Sequence, residues 1–398
     1  MTQCAAPSAA AVAARRAMKK SFQTRGILTA VSSGMVYGMY TAFMTYAMAM
    51  GIWAVWYGEN SGLSEFAVLF LLSALGAGLT DGCAAIWALI MAALRGKLGD
   101  FGRSFKTRPG MMMLVAALFG GPFASTCYVV GLQMAGSIVV PISALCPAIG
   151  AILARFLFRQ PLTPRMMLGI LICLSASALI GFSSMGGIEA RPHMMLGLFF
   201  GFLAALGWGI EGCVCGYGVS IIDSEVGITI REVTIGISNL IILVPILGWI
   251  GQTDGFAMLG KALADVDSMK WFVVAGFLCY FNFMCWYRGN AMCGAALGMA
   301  CNGAYSFWGP FFCWLILGVV FGLDGWNMVP VAWVGAVLMV VGIFTIATNP
   351  LALFNRKEQK DETPELCHPQ VSDHGGRSLS RRHHRGPQGH LWFLPGPQ

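Results

Sequence analysis

The stretch AALGWGIEGCVCGYG, residues 204–218, holds one carboxylate, Glu211, inside a long apolar, small-residue run. A second acid, Asp81, sits in LGAGLTDGCAAIW, residues 75–87. A charged acid at the centre of a membrane helix costs ~2.5–3.5 kcal/mol on insertion scales, so such residues tend to mark function. Three roles suit Glu211. It is a proton-coupling or cation-binding group lining a central cavity, a structural acid hydrogen-bonded across helices, or a group facing a wet vestibule. The same roles suit Asp81, whose neighbours Gly76, Gly78 and Gly82 also point to close helix packing.

Aromatic residues lie in the same or later runs: Tyr37, Tyr40, Trp208, Tyr217, Trp286, Tyr305 and Trp308. An acid inside an aromatic cage suits an organic cation, whereas aromatics alone are ordinary packing. Asn239, Asn282, Asn302 and Gln133 add amides, each equally suited to bonding across helices. Among them Asn302, in ACNGAYSFWGP, stands out, because Gly303 and Pro310 loosen a helix and free carbonyls for a substrate. Arg288 either snorkels to a membrane surface or pairs with an anion or a carboxylate. Gly120-Gly121-Pro122, Pro141 and Pro147 are kink or hinge candidates.

Other chemistry is poorly served. The six histidines, His193, His368, His374, His383, His384 and His390, all fall outside the apolar runs, and no HExxH, phosphate loop or zinc spacing occurs. No enzyme activity, cofactor or metal is therefore expected. An intramembrane enzyme would need Asp81 and Glu211 as a dyad, and each stands alone in its run. The 13 cysteines are mostly single and within apolar runs, where they read as buried, reduced thiols.

These residues need a frame to hold them. Of the 398 residues, 57% are hydrophobic and only 11% charged, against roughly 25% charged in a soluble domain. Apolar runs of ~20 residues recur, each enough to cross a ~30 Å hydrocarbon core, so an all-α membrane protein is expected. Ten spans are predicted, at 27–51, 66–92, 110–132, 137–157, 164–184, 195–221, 233–251, 271–289, 295–320 and 328–349. Residues 1–26 form a basic N-terminus, and the run after it is too long for a cleaved signal peptide. Residues 350–398, rich in Arg, His, Pro and Gly, read as a disordered tail. With the N-terminus in the cytoplasm, the inner segments hold 22 of the 25 Lys and Arg, one of them Arg231. The outer loops hold only Arg191, Lys261 and Lys270. That asymmetry favours a multi-pass protein of the cell (plasma or inner) membrane with both termini cytoplasmic. Trp53, Trp56 and Tyr57 then fall at the outer interface. Asp81 comes 15 residues after Phe66 and Glu211 comes 16 after Met195. At ~1.5 Å per residue both lie about 23 Å along their helices.

The two halves share features. CYVVGLQMAG (127–136) ends the third span and CWYRGNAMCG (285–294) the eighth, with Cys, Gly, Met and Gly in step. SGMVYGMY (33–40) lies over AALGWGIE (204–211), setting Tyr37 on Trp208 and Tyr40 on Glu211. Each half also ends with a Pro-containing span, a short loop and a Gly-containing final helix. A five-span repeat enters the membrane in opposite senses, giving two inverted five-helix repeats (27–184 and 195–349), the architecture of alternating access.

This 5+5 layout, over roughly residues 26–349, resembles the drug/metabolite transporter superfamily, in particular its EamA-like branch. Its most specific part is ISALCPAIGAILARFLFRQPLTPRMMLGILICLSASALIG, residues 142–181. That stretch is similar to the family's pattern of a Pro in span four, a polar loop and a small-residue span five. The family's usual Gly-Glu pair is replaced by Arg159-Gln160 in one half and Leu323-Asp324 in the other. The chain therefore resembles a divergent member, and the loop glutamate is not carried over. The resemblance implies a carrier of small organic metabolites, often an exporter or a proton-linked exchanger.

The expectation is a carrier embedded in the lipid bilayer, proton- or gradient-linked, without nucleic-acid partners. Its substrate or protons meet Glu211 first, then Asp81, with Tyr40, Trp208, Asn302 and Tyr305 as lining. The acidic deep charges favour an amine or amino acid. A sugar or nucleoside would use the same aromatics and amides, and a channel or a non-transporting scaffold is the rival class.

Overall fold

The computed structural model describes residues 9–59, 61–157, 163–185, 193–218, 221–293, 295–326 and 330–347. Helices dominate because long apolar runs with few polar side chains satisfy every backbone N–H and C=O internally only as helices or closed barrels. Among the described residues there is no strand. In chain order the main helices are α1 (Ala9–Ala47), α2 (Ala67–Leu94), α3 (Arg108–Ala135), α4 (Val139–Ser143), α5 (Cys146–Leu157), α6 (Pro164–Met185) and α7 (Met194–Gly218). Then follow α8 (Ser224–Ile250), α9 (Gly255–Ala264), α10 (Val266–Cys293), α11 (Ala295–Asn302), α12 (Tyr305–Val320) and α13 (Pro330–Ala347).

Six helical stretches are long and apolar enough to cross a membrane: Thr24–Ala47 in α1, the whole of α2, α3 and α8, Met194–Cys215 in α7, and Val266–Met292 in α10. Their outward faces carry bare apolar side chains such as Phe199, Ile241, Ile242 and Trp249. Lipid, not water, suits such a surface.

The predicted fourth and ninth spans are each broken. Ala144 and Leu145 separate α4 from α5, and Gly303 and Ala304 separate α11 from α12. Pro147 sits at the second position of α5, where its missing N–H costs nothing. Gly120-Gly121-Pro122 falls in a π-helical segment, Phe119–Ser125, inside α3. Such a bulge is the expected response to a proline within a helix.

Two expectations need correction. The seventh span does not start at residue 233. Asp223 caps α8, its carboxylate accepting from the N–H groups of Glu225 (2.9 Å) and Val226 (3.4 Å), so helix begins at Ser224. Arg231 is therefore no loop residue but a fully buried one. The basic asymmetry between the two sides does not depend on it. Nor do the Trp53 and Trp56 rings face outward. Trp53 is fully enclosed, packed on Trp56 and Phe272 with ring centroids 5.3 Å apart in each case. Arg159, Gln160, Arg191 and the tail 350–398 lie outside the described residues.

Candidate functional site

Glu211 is not alone. Arg231 of α8 meets it with two prongs, Nε donating to Oε1 at 2.5 Å and Nη2 to Oε2 at 3.5 Å. The third guanidinium nitrogen, Nη1, donates to Oε1 of Glu232 at 2.7 Å. All three side chains are fully buried. The guanidinium carbon also lies 3.4 Å from the centre of the Phe283 ring of α10, a stacked cation–π contact. Arginine suits this place because its planar fork bonds two carboxylates at once and sheds water more readily than an ammonium does. Taking such ions out of water costs several kcal/mol each, which only close, multiply bonded geometry offsets.

The bulge in α3 makes room for the pair. A Cβ on Gly120 would collide with the Glu211 carboxylate. The Gly120 carbonyl accepts from the Ser125 hydroxyl (3.0 Å) and from the Trp208 indole N–H (3.0 Å). Trp208 lies about one turn before Glu211 on α7, so this bond also fixes the helix that presents the acid.

Asp81 is close by, on α2. Its Oδ2 accepts from the Asn239 amide of α8 at 3.2 Å, and the Cys279 thiol of α10 lies 3.9 Å from its Oδ1. The approach of α2 to α8 depends on small residues, with the backbone of Gly82 against Gly236. Glu232 closes the chain: ligand atoms of Asp81, Glu232 and Cys279 lie within 4.8 Å of one another. The two carboxylates that stood apart in sequence thus belong to one network, Asp81 to Glu232 to Arg231 to Glu211. Glu232 Oε2 and Asn239 Oδ1 are buried there without a partner among the described residues.

Beside this network lies an aromatic cluster. Tyr37 stacks on Tyr305 (centroids 4.2 Å) and meets Tyr40 (4.9 Å), Tyr128 (5.8 Å) and Trp208 (5.9 Å) edge-on. Tyr128 bonds Thr41 at 3.0 Å, and Tyr305 reaches Cys146 at 3.7 Å. Trp208, edge-on to Tyr37 and bonded to the Gly120 carbonyl beside Glu211, joins the two clusters. Asn302, at the end of α11, donates to Ser33 (2.7 Å) and, longer, to Asn282 (3.5 Å). A cavity of about 290 Å³ opens beyond the aromatic cluster along α1, lined by Thr45, Met48, Tyr57, Gln133 and Trp326.

The structure thus brings together Glu211, Asp81, Tyr40, Trp208 and Tyr305, with Asn302 reaching α1 at Ser33, four residues before Tyr37. The Tyr217 side chain lies outside the described residues. Sequence reasoning missed Arg231, Glu232 and Tyr128. Asp223 followed by Glu225 is a helix-start signal, a cap plus an acid in the first turn, which would have drawn Arg231 and Glu232 into the span. Tyr128 occupies the place of Trp286 when CYVVGLQMAG is laid on CWYRGNAMCG.

The two ends of the bundle are closed differently. At the Arg288 end, Glu225 is buried and pairs with Arg95, with Lys97 (2.9 Å) and with Arg288 (2.8 Å), while Lys97 also bonds Asp223 at 2.9 Å. Arg288 is thus a carboxylate's partner. At the Gly51 end, Asp265 accepts from the Ile52 N–H at 3.0 Å. Burial alone would raise the Asp265 pKa. The bonds from Ile52 and then Ser268 outweigh it and hold the carboxyl below its usual range.

No protein-family model matches this chain, and no curated protein does. Among solved structures, one described only as "Crystal structure of protein" is similar over 82% of this chain and 96% of its own, at 17% identity and a TM-score of 0.45. That likeness is too slight to inform fold or function.

Proposed function

We propose that the chain is a ten-span carrier of the EamA-like type, built of two inverted five-helix repeats, which moves a small polar metabolite by alternating access past the Asp81–Glu232–Arg231–Glu211 network. It is no enzyme, and its movement is proton- or gradient-linked. The observation that carries this reading is a charge network buried between helices of both halves, α2 from the first and α7, α8 and α10 from the second. Intramembrane charges of this kind line pathways by default.

Helix pairing supports the repeat. Exchanging the halves turns the packing of α1 on α10 into that of α7 on α3, and the packing of α1 on α11 and α12 into that of α7 on α4 and α5. The pairs α2 with α8 and α6 with α13 map onto themselves. Tyr37 and Trp208, equivalent in the sequence overlay, meet at the centre. The broken pairs α4/α5 and α11/α12 are also equivalent, and broken helices are where carriers expose backbone to substrate. The cavity at Thr45 and Gln133 suits an entrance on the outer side.

The substrate class favoured is an amine or amino acid. The network holds three carboxyls against one guanidinium, and aromatic faces adjoin it, which suits a cationic group. Reconstituted into proteoliposomes, the protein is expected to take up one class from a panel of amines, amino acids, sugars, nucleosides and organic acids with saturation and competition. Linear, uncompeted flux would instead mean a channel, and no flux with any class a scaffold.

A further inference from the structure

Charge in the buried network does not balance. Arg231 is matched by Glu211, which takes two of its nitrogens. That leaves Asp81 and Glu232 with two negative charges and few compensating bonds. Asp81 has only an amide and a thiol, and Glu232 shares the guanidinium through one oxygen. Its other oxygen, Oε2, has no partner among the described residues, and neither has Asn239 Oδ1, although both side chains are fully buried. A buried carboxylate oxygen without a partner calls for a proton or a cation.

The donor set distinguishes these. Asp81, Glu232 and Cys279 each offer one atom, all within 4.8 Å of one another. Turning the Asn239 amide about its last bond presents Oδ1 to Asp81 in place of the N–H, adding a fourth ligand atom, an oxygen. Two carboxylates, one amide and one sulfur make a closed, four-ligand set of the kind that suits Zn²⁺, and the sulfur disfavours Mg²⁺ and Ca²⁺. On binding, the Cys279 thiol would give up its proton to become a thiolate ligand, and the ion would take up the carboxylate charges beside it. Closing the set around a metal, with ligand bonds of about 2.0–2.3 Å, draws inward atoms that already lie within 4.8 Å of one another.

We propose that Asp81, Glu232, Asn239 and Cys279 form a buried site for one divalent transition-metal cation of the Zn²⁺ class, held between α2, α8 and α10. The site departs from the sequence expectation of no metal, because no two of its residues have a recognisable ligand spacing. It does not rest on the transport reading: a metal-binding chain that moves nothing would leave it intact.

The test uses the full chain in detergent, stripped with a chelator, with His368, His374, His383, His384 and His390 replaced by Gln so that they take no metal. Zn²⁺ is titrated calorimetrically and Cd²⁺ by ultraviolet absorption. The expected result is one ion per chain, a thiolate-to-Cd²⁺ absorption band and a raised unfolding temperature. Glu232→Gln should weaken binding by at least the roughly 10–100-fold typical of losing even an outer-shell partner. Should that variant not fold, Cys279→Ser decides the matter. It should abolish the Cd²⁺ band and shift preference from Cd²⁺ towards Mn²⁺. Absence of stoichiometric binding, binding unchanged in Cys279→Ser, or equal stabilisation by Na⁺ or Mg²⁺ would each overturn the proposal.

Discussion

The charged network and the aromatic cluster sit side by side in the core, yet they are held by opposite means. The network depends on a few short, directional bonds around one guanidinium. Removing that guanidinium strands two carboxylates. The aromatic cluster depends on many weak ring contacts, so removing one ring leaves the others in place. Trp208 belongs to both, meeting Tyr37 edge-on and Tyr128 at a tilt while its N–H holds the Gly120 carbonyl beside Glu211. The difference implies that losing the guanidinium costs the fold most, whereas ring changes tune affinity.

The largest expected effect comes from Arg231→Met. Breaking a buried ion pair by removing one partner costs about 3–5 kcal/mol, and thermal unfolding in detergent should report a loss of that order. Adding Glu211→Leu and Glu232→Leu should recover most of it, since an apolar replacement of the whole set is close to neutral. If the triple variant is no better than the single one, the directional view of the network is wrong.

Next comes the joint between the regions. Gly120→Ala places a methyl against the Glu211 carboxylate, whose flexible chain would give way were it not clamped by Arg231. A cost of about 1–3 kcal/mol is expected. The same substitution in an Arg231→Met background should cost less, and equal costs in the two backgrounds would separate Gly120 from the network.

Tyr37→Leu, in the aromatic cluster, should cost about 0.5–1.5 kcal/mol beyond area loss. Substrate half-saturation should move more than protein yield does. A collapse in yield would show that the rings are structural after all.

The smallest effect lies at the Gly51 end. Because the folded Asp265 pKa is depressed, its contribution is present above the unfolded value, about 3.9, and fades as pH falls through the lower folded value. Being largely solvated, it contributes no more than about 1 kcal/mol. Asp265→Asn should flatten the acid limb of the unfolding temperature below about pH 4 and leave the neutral region alone.

Much of this frame is legible in the residues themselves. Long apolar runs give the helices, and six stretches are long and apolar enough to cross a membrane, because length and hydropathy alone specify a membrane-length helix. Glu211 and Asp81 were visible as lone charges in apolar surroundings. Arg231 and Glu232 were not, because SEVGITIREVT mixes polar and apolar residues at a helix start and so reads as the end of a loop. Their pairing with Glu211, 20 positions away, is set by how α7 packs with α8, which no local pattern encodes. Trp53 went astray for a different reason. Aromatic enrichment at interfaces describes populations of residues, and this one packs on Phe272 instead.

The most direct test of the account is flux in proteoliposomes by wild type and by Asp81→Asn, both checked for the same unfolding temperature, with proton movement recorded alongside. The account predicts saturable, substrate-induced flux in the wild type and its loss in the folded variant. Flux in Asp81→Asn equal to wild type would contradict it, and the buried network would then be a fastening between helices and not a transport site.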